Sequence, residues 1–85
     1  MSLSIVIPAY NEALRLPRAM QALDNYFPKD SDLTEIIVVD DGSADATSAI
    51  VRQWAQSDLR VRLLCYQPNR GKGFAIRQGM LAAQG

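Results

Sequence analysis

Thr34-Glu35-Ile36-Ile37-Val38-Val39-Asp40-Asp41-Gly42-Ser43 is the stretch whose reading decides the fold. Four consecutive β-branched aliphatic residues read as a strand. An unbroken apolar run, without alternation, suits a strand covered on both faces, which is the habit of parallel sheets. The strand is expected over Thr34–Val39. Gly42 then gives a turn, and Ser43 or Asp45 caps the next helix, whose dipole favours carboxylates in its first turn.

The same strand-then-loop-then-helix pattern occurs on either side. Leu3 to Ile7 reads as a first strand that Pro8 ends, because proline cannot donate to a ladder. Asn11 is a candidate cap and Pro17 a first-turn residue of a helix over Leu16–Phe27, whose apolar stripe is Leu16, Met20, Leu23 and Phe27. Residues 28–32 form a polar connection. The second helix runs to Ser57-Asp58 with Thr47, Ile50, Val51 and Trp54 on one face. A third strand, Val61 to Tyr66, and a Gln67-Pro68-Asn69 turn precede a helix over Gly73–Gln84. Ile76, Gly79, Met80 and Ala83 form the apolar face of that helix, Gly79 permits close packing on the sheet, and Gly85 suits the helix end.

The order β-α-β-α-β-α predicts an α/β fold: a three-layer, Rossmann-like parallel sheet with right-handed crossovers and strand order 3-2-1. Helix three passes to the other side of strand one. With 85 residues there is room for one small domain, of marginal stability alone.

Nine Lys and Arg balance nine Asp and Glu, so charge gives no support for general nucleic-acid or membrane-surface attraction. Histidine is absent, which excludes Ser-His-Asp and Cys-His triads and His-type zinc sites built from these residues. The single cysteine, Cys65, lies within the third strand and is read as a buried structural thiol. No apolar run exceeds four residues, and Met1-Ser2-Leu3-Ser4 has no basic start. No membrane span or signal peptide is expected, and the expected location is cytoplasmic.

Three polar loops would therefore share the carboxyl edge of one sheet, where open α/β folds bind ligands. Asp40 and Asp41 are adjacent on extended backbone, so their side chains point opposite ways and should have different tasks. One could accept hydrogen bonds from a base or sugar edge while the other holds the loop or a helix start. Asn69-Arg70-Gly71-Lys72-Gly73 has the glycines and cations of an anion loop, but not the spacing of a Walker A or dinucleotide motif. Pro8-Ala9-Tyr10-Asn11-Glu12 offers an aromatic ring to stack on a base and an acid for a sugar hydroxyl. Each loop taken alone is equally a capping turn or a solvated turn. Their concentration at one edge favours a site.

These motifs, in this order and over essentially the whole chain, resemble the N-terminal nucleotide-binding half of family-2 inverting glycosyltransferases with the GT-A fold. The segment from Asn69 through Ala75, Arg77 and Gly79-Met80 is most similar to dolichyl-phosphate and polyprenyl-phosphate glucosyltransferases and mannose synthases. The resemblance implies a nucleotide-sugar donor of UDP-glucose or GDP-mannose type. It implies that Pro8, Ala9, Tyr10 and Glu12 contact the nucleoside, that Asp41 accepts from the base imide N–H with Asp40 nearby, and that Gly71 and Lys72 approach the base or phosphates. It also implies a lipid-phosphate acceptor, and Mg or Mn in the full-length enzyme on an Asp-x-Asp motif beyond residue 85, as well as a later acid that deprotonates the acceptor. Residues 1–85 are thus expected to bind nucleotide weakly, to hold no metal alone, to contain no catalytic residue and to be inactive. Two alternatives remain open: a non-catalytic nucleotide-binding module, and a structural half-domain that forms a homodimer through the unpaired edge of strand one.

Overall fold

The computed structural model describes residues 3–27 and 33–83. The expected polar connection at 28–32 and the expected role of Gly85 lie outside the described residues. Three strands, β1 (Leu3–Ala9), β2 (Leu33–Asp41) and β3 (Val61–Tyr66), alternate with α1 (Leu16–Tyr26), α2 (Thr47–Ser57) and α3 (Lys72–Ala82). Both strand pairs are parallel, with β2 in the centre.

The central strand carries the core. Ile36, Ile37, Val38 and Val39 are each fully buried, worth roughly 1.5–3 kcal/mol per side chain. Ile36 and Val38 face the layer built by α1 and α2, with Leu16, Val51, Trp54 and Val61. Ile37 and Val39 face the opposite layer, with Ala75 of α3. The expected stripe of α1 and the Thr47-Val51-Trp54 face of α2 both pack inward. Among the described residues no helix is long and apolar enough to cross a membrane.

Gly79 sets the depth of α3. A Cβ there would lie 2.3 Å from Val6 Cγ1 and 3.1 Å from Val39 Cγ2, so only glycine lets the helix settle this close.

Several expectations are corrected. β1 continues through Pro8, which pairs with Val39; β1 has one edge without a partner among the described residues, and an edge strand tolerates a missing N–H. β2 continues through Asp40 and Asp41, opposite Cys65 and Tyr66. Asn11 caps no helix: α1 begins with the Arg15 and Leu16 N–H groups donating to the Glu12 carbonyl. Met80 is exposed, because the sheet-facing stripe of α3 is Ala75, Gly79 and Ala82, with Ile76 only half-buried at its flank. Cys65 is exposed as well. It sits near the end of an edge strand, where Arg52 of α2 approaches its sulfur at 3.7 Å.

Candidate functional site

The first two loops are interlocked by backbone N–H groups that donate to side-chain oxygens. Asn11 N–H donates to Ser43 Oγ at 2.9 Å, Glu12 N–H to Thr47 Oγ1 at 2.9 Å and Ala13 N–H to Asp45 Oδ2 at 3.2 Å. In return, Ala44 N–H donates to Asn11 Oδ1 at 2.9 Å. Asn11 takes a positive φ of 51°, a conformation asparagine tolerates better than most residues. Asp45 Oδ1 also accepts from Thr47 N–H at 2.9 Å and from the Thr47 hydroxyl. The Thr47 hydroxyl, then the backbone donors, hold its carboxyl below the usual range. Asp45 thus serves the first turn of α2 although Ala46 stands at the cap position.

The second and third loops are joined by Asp41. Its Oδ1 accepts from the Tyr66 hydroxyl at 2.5 Å and from Arg70 N–H at 2.9 Å. Its Oδ2 accepts from Asn69 Nδ2 and Gly71 N–H, each at 2.8 Å. Four donors fill the roughly four lone-pair positions of a carboxylate. Burial pushes the Asp41 pKa up, but the hydrogen bonds from Tyr66, Arg70 and Gly71 outweigh it and leave the group below its ordinary 3.8. Burial, then the bond to Asp41, pushes the Tyr66 phenol up to about 12. No cation pairs with Asp41 among the described residues.

Gly42 makes the close approach of these loops possible. It has a φ of +76°, and a Cβ there would lie 2.5 Å from Asn69 N and 2.9 Å from Asn69 Cα. Gly71, at φ 98° and ψ 159°, stands immediately before α3 with open space where a side chain would be. Beyond it, Phe74 meets the Tyr66 ring edge-to-face at 5.2 Å and lies under the Arg70 guanidinium at 5.2 Å.

A cleft of about 320 Å³ opens beside these loops. Pro8, Ala9, Tyr10, Glu12, Asp41, Gly71 and Lys72 line it, together with Asn69 and Ala75. Seven of the eight residues singled out in the sequence therefore share one cavity. Asp40 does not line it: its side chain is buried, and Oδ1 accepts from Ser43 N–H at 3.0 Å. Asn69, Ala75 and the Tyr66 anchor were not foreseen as site residues. The available signal for Tyr66 was an aromatic with a polar tip closing an apolar run, level with Asp41 in a parallel pair.

The cleft presents an aromatic side chain, an acid, the backbone of Gly71 and the Lys72 side chain at the start of a helix. This set suits a flat polar ring carrying a phosphate chain. It does not fit a divalent cation. No group of three or more His, Cys, Asp or Glu side chains stands together among the described residues, and both Asp41 oxygens are already engaged.

Comparison with known proteins bears on this arrangement. The family described as glycosyl transferase family 2 matches residues 4–85. Dolichyl-phosphate beta-glucosyltransferase from Mus musculus is 45% identical over 91 residues, covering 98% of this chain and 28% of that protein. Its counterpart from Dictyostelium discoideum is 41% identical over 90 residues, again 98% of this chain and 28% of the relative. Mannosyltransferase PcManGT from Pyrobaculum calidifontis, solved in complex with GDP-Man and Mn2+, is similar with a TM-score of 0.73 at 36% identity, covering 95% of this chain and 24% of that one. S. aureus TarS gives a TM-score of 0.79 at 28% identity, over 100% of this chain and 25% of its own. The chain thus spans little more than a quarter of the length of the curated relatives it matches. Both structural neighbours are GT-A glycosyltransferases, in keeping with the parallel Rossmann-like sheet described above. A family match over residues 4–85, on this fold, makes the chain a member of glycosyl transferase family 2.

Proposed function

We propose that this chain supplies the nucleotide-sugar-binding half of an inverting glycosyltransferase, within a single unit over residues 1–85. The donor is of UDP-glucose or GDP-mannose type, and the acceptor is a polyprenyl or dolichyl phosphate. The observation that carries this reading is the convergence of Tyr10, Glu12, Asp41, Gly71 and Lys72 on one cleft at the carboxyl edge of the sheet. The relatives named for dolichyl phosphate and the neighbour bound to GDP-Man support the two substrate classes.

In this reading Tyr10, half exposed at the rim, stacks on the base, while Pro8 and Ala9 form the wall against the nucleoside. Glu12 accepts from a ribose hydroxyl, Asp41 meets the base imide, and Lys72 balances the diphosphate. Asp40 acts indirectly, through the turn at Ser43. In the complete enzyme an acceptor oxygen bonds to the anomeric carbon as the bond to the nucleoside diphosphate breaks, with inversion. A divalent cation would offset charge on the departing diphosphate, but its ligands are not among the described residues. Nor is any of them assigned as the base that deprotonates the acceptor. In this reading the 85 residues bind donor and do not turn it over.

The test is an amide NMR titration with UDP, UDP-glucose and GDP-mannose. Shifts confined to Tyr10, Gly42, Gly71 and Lys72 with one nucleotide are expected, and Lys72→Ala should weaken a nucleoside diphosphate about tenfold while leaving the nucleoside alone little changed. A folded spectrum without response to any nucleotide overturns the donor site. Sugar transfer by the 85 residues overturns their inactivity.

A second reading, self-association, is favoured by one observation. Among the described residues β1 pairs with β2 alone, leaving its other edge without a strand. Light scattering that gives a monomer mass at every concentration would exclude it.

A further inference from the structure

We propose that Asn69 is a gate residue on Asp41: its side-chain amide occupies the acceptor position that a nucleobase imide N–H takes, and base binding exchanges one for the other. This rests on the donor-site reading above and gives that site a specificity-determining residue.

Asp41 is a saturated acceptor. Asp41 lines the cleft but is only 3% exposed, and its two oxygens already accept four hydrogen bonds. A fifth donor cannot be added without removing one of the four. The four are not equally replaceable. Arg70 and Gly71 donate from the backbone, and losing either bond means moving the loop. The Tyr66 hydroxyl sits at the end of β3, and its ring is held edge-to-face against Phe74. Asn69 donates from a side chain that rotates about two bonds, on an exposed residue that itself lines the cleft.

The exchange is also chemically even. An amide N–H to a carboxylate is replaced by an imide N–H to the same oxygen, so charge and bond type are conserved. Asn69 Nδ2 also donates to the Asp41 carbonyl at 3.0 Å, and rotation of the amide exposes that carbonyl to the cleft as a second acceptor. Asp41 then presents a carboxylate oxygen and a carbonyl oxygen on the side that Asn69 vacates. A ring with one imide N–H uses the first alone; a ring with an adjacent exocyclic amino group offers donors to both. Phosphate has no part in this exchange, so the base and the phosphates of a donor are read by separable groups.

The experiment follows the Asn69 side-chain amide by NMR in the 85-residue chain during titration with UDP, with GDP and with pyrophosphate. The expected result is an Asn69 amide that is hydrogen-bonded in the free chain, moves to the position of a solvent-exposed asparagine with a nucleotide, and stays in place with pyrophosphate. Asn69→Ala is expected to bind uridine or guanosine about threefold to tenfold more tightly, with pyrophosphate affinity unchanged. Nucleotide-induced shifts at Tyr10 and Lys72 with an unmoved Asn69 amide overturn the gate and leave the donor site standing. So does an Asn69→Ala chain that binds the nucleoside less tightly or equally. No response of the cleft to any of the probes overturns both readings together.

Discussion

The two rims of this sheet treat their buried acids in opposite ways. At the amino rim, Glu35 and Asp58 are paired with arginines. Arg62 meets Glu35 Oε2 at 2.8 Å and also donates to the Ala82 carbonyl at 3.1 Å, while Ser4 Oγ donates to Oε1 at 2.7 Å. Arg60 grips both Asp58 oxygens and reaches the Phe27 carbonyl at 2.9 Å. At the carboxyl rim, Asp41 is held by a phenol, an amide and two backbone N–H groups, all neutral. The first arrangement cancels charge and ties the end of a helix or strand to its neighbours. The second keeps a full negative charge beside a cleft, and leaves Lys72 without an ion pair among the described residues. One rim is built to hold the fold together, the other to hold an unbalanced set of charges for something else.

The sharpest way to break this contrast is Asp41→Ala. It removes the acceptor for four donors, and a loss of about 3 kcal/mol is expected, with the Arg70 and Gly71 amides becoming freely exchangeable. Denaturant titration and hydrogen exchange would read both. Gly42→Ala attacks the same junction without touching charge. Its positive φ and the 2.5 Å approach to Asn69 N should make it about 2 kcal/mol destabilising, again with the loss concentrated in the third loop.

The amino rim should behave differently. Arg62→Met leaves Glu35 buried without its cation, and about 1 kcal/mol is expected, since the Arg62 side chain is 40% exposed and partly screened. Adding Glu35→Gln should recover part of that loss. A double variant no better than the single would show that the ion pair is not the unit that matters.

The smallest effect is in titration. Asp41 lies below its ordinary pKa, so its contribution to stability is present above pH 3.8 and fades as pH falls through the lowered native value. Tyr66 is raised from 10.0 to about 12, so its contribution is intact below pH 10.0 and is lost as pH rises towards 12. Tyrosinate absorbance should therefore show a late-titrating component from Tyr66, which Tyr66→Phe removes at a stability loss of about 1 kcal/mol.

What was legible in the sequence follows the same division. The run Ile36–Val39, the stripe of α1 and the need for a small residue at Gly79 are properties of short segments, and each could be read locally. The gathering of Pro8, Tyr10, Asp41 and Lys72 at one edge followed from the parallel order of the strands. What could not be read was which polar group holds which. The donors to Asp41 come from 25 to 30 residues downstream, and Asn11, Ser43, Asp45 and Thr47 look like separate caps until the fold brings them together. Met80 misled because its apolar character fits a helix stripe one position away from the true one. Cys65 misled because the strand order places β3 at an edge, but nothing local shows that a side chain near the end of that strand is left uncovered.

The close seat of α3 at Gly79 has a consequence for energetics at the opposite end of that helix. With its body seated against Val6 and Val39, α3 holds its first turn at Lys72 beside the cleft, and in the donor site proposed above its N–H dipoles are aimed before the diphosphate arrives. The entropy of ordering them is lost when the chain folds, and little reorganisation energy is left for the encounter itself. In that proposed site, a glycine lodged between two valines in the interior is thus the preorganising element of a surface about two turns away.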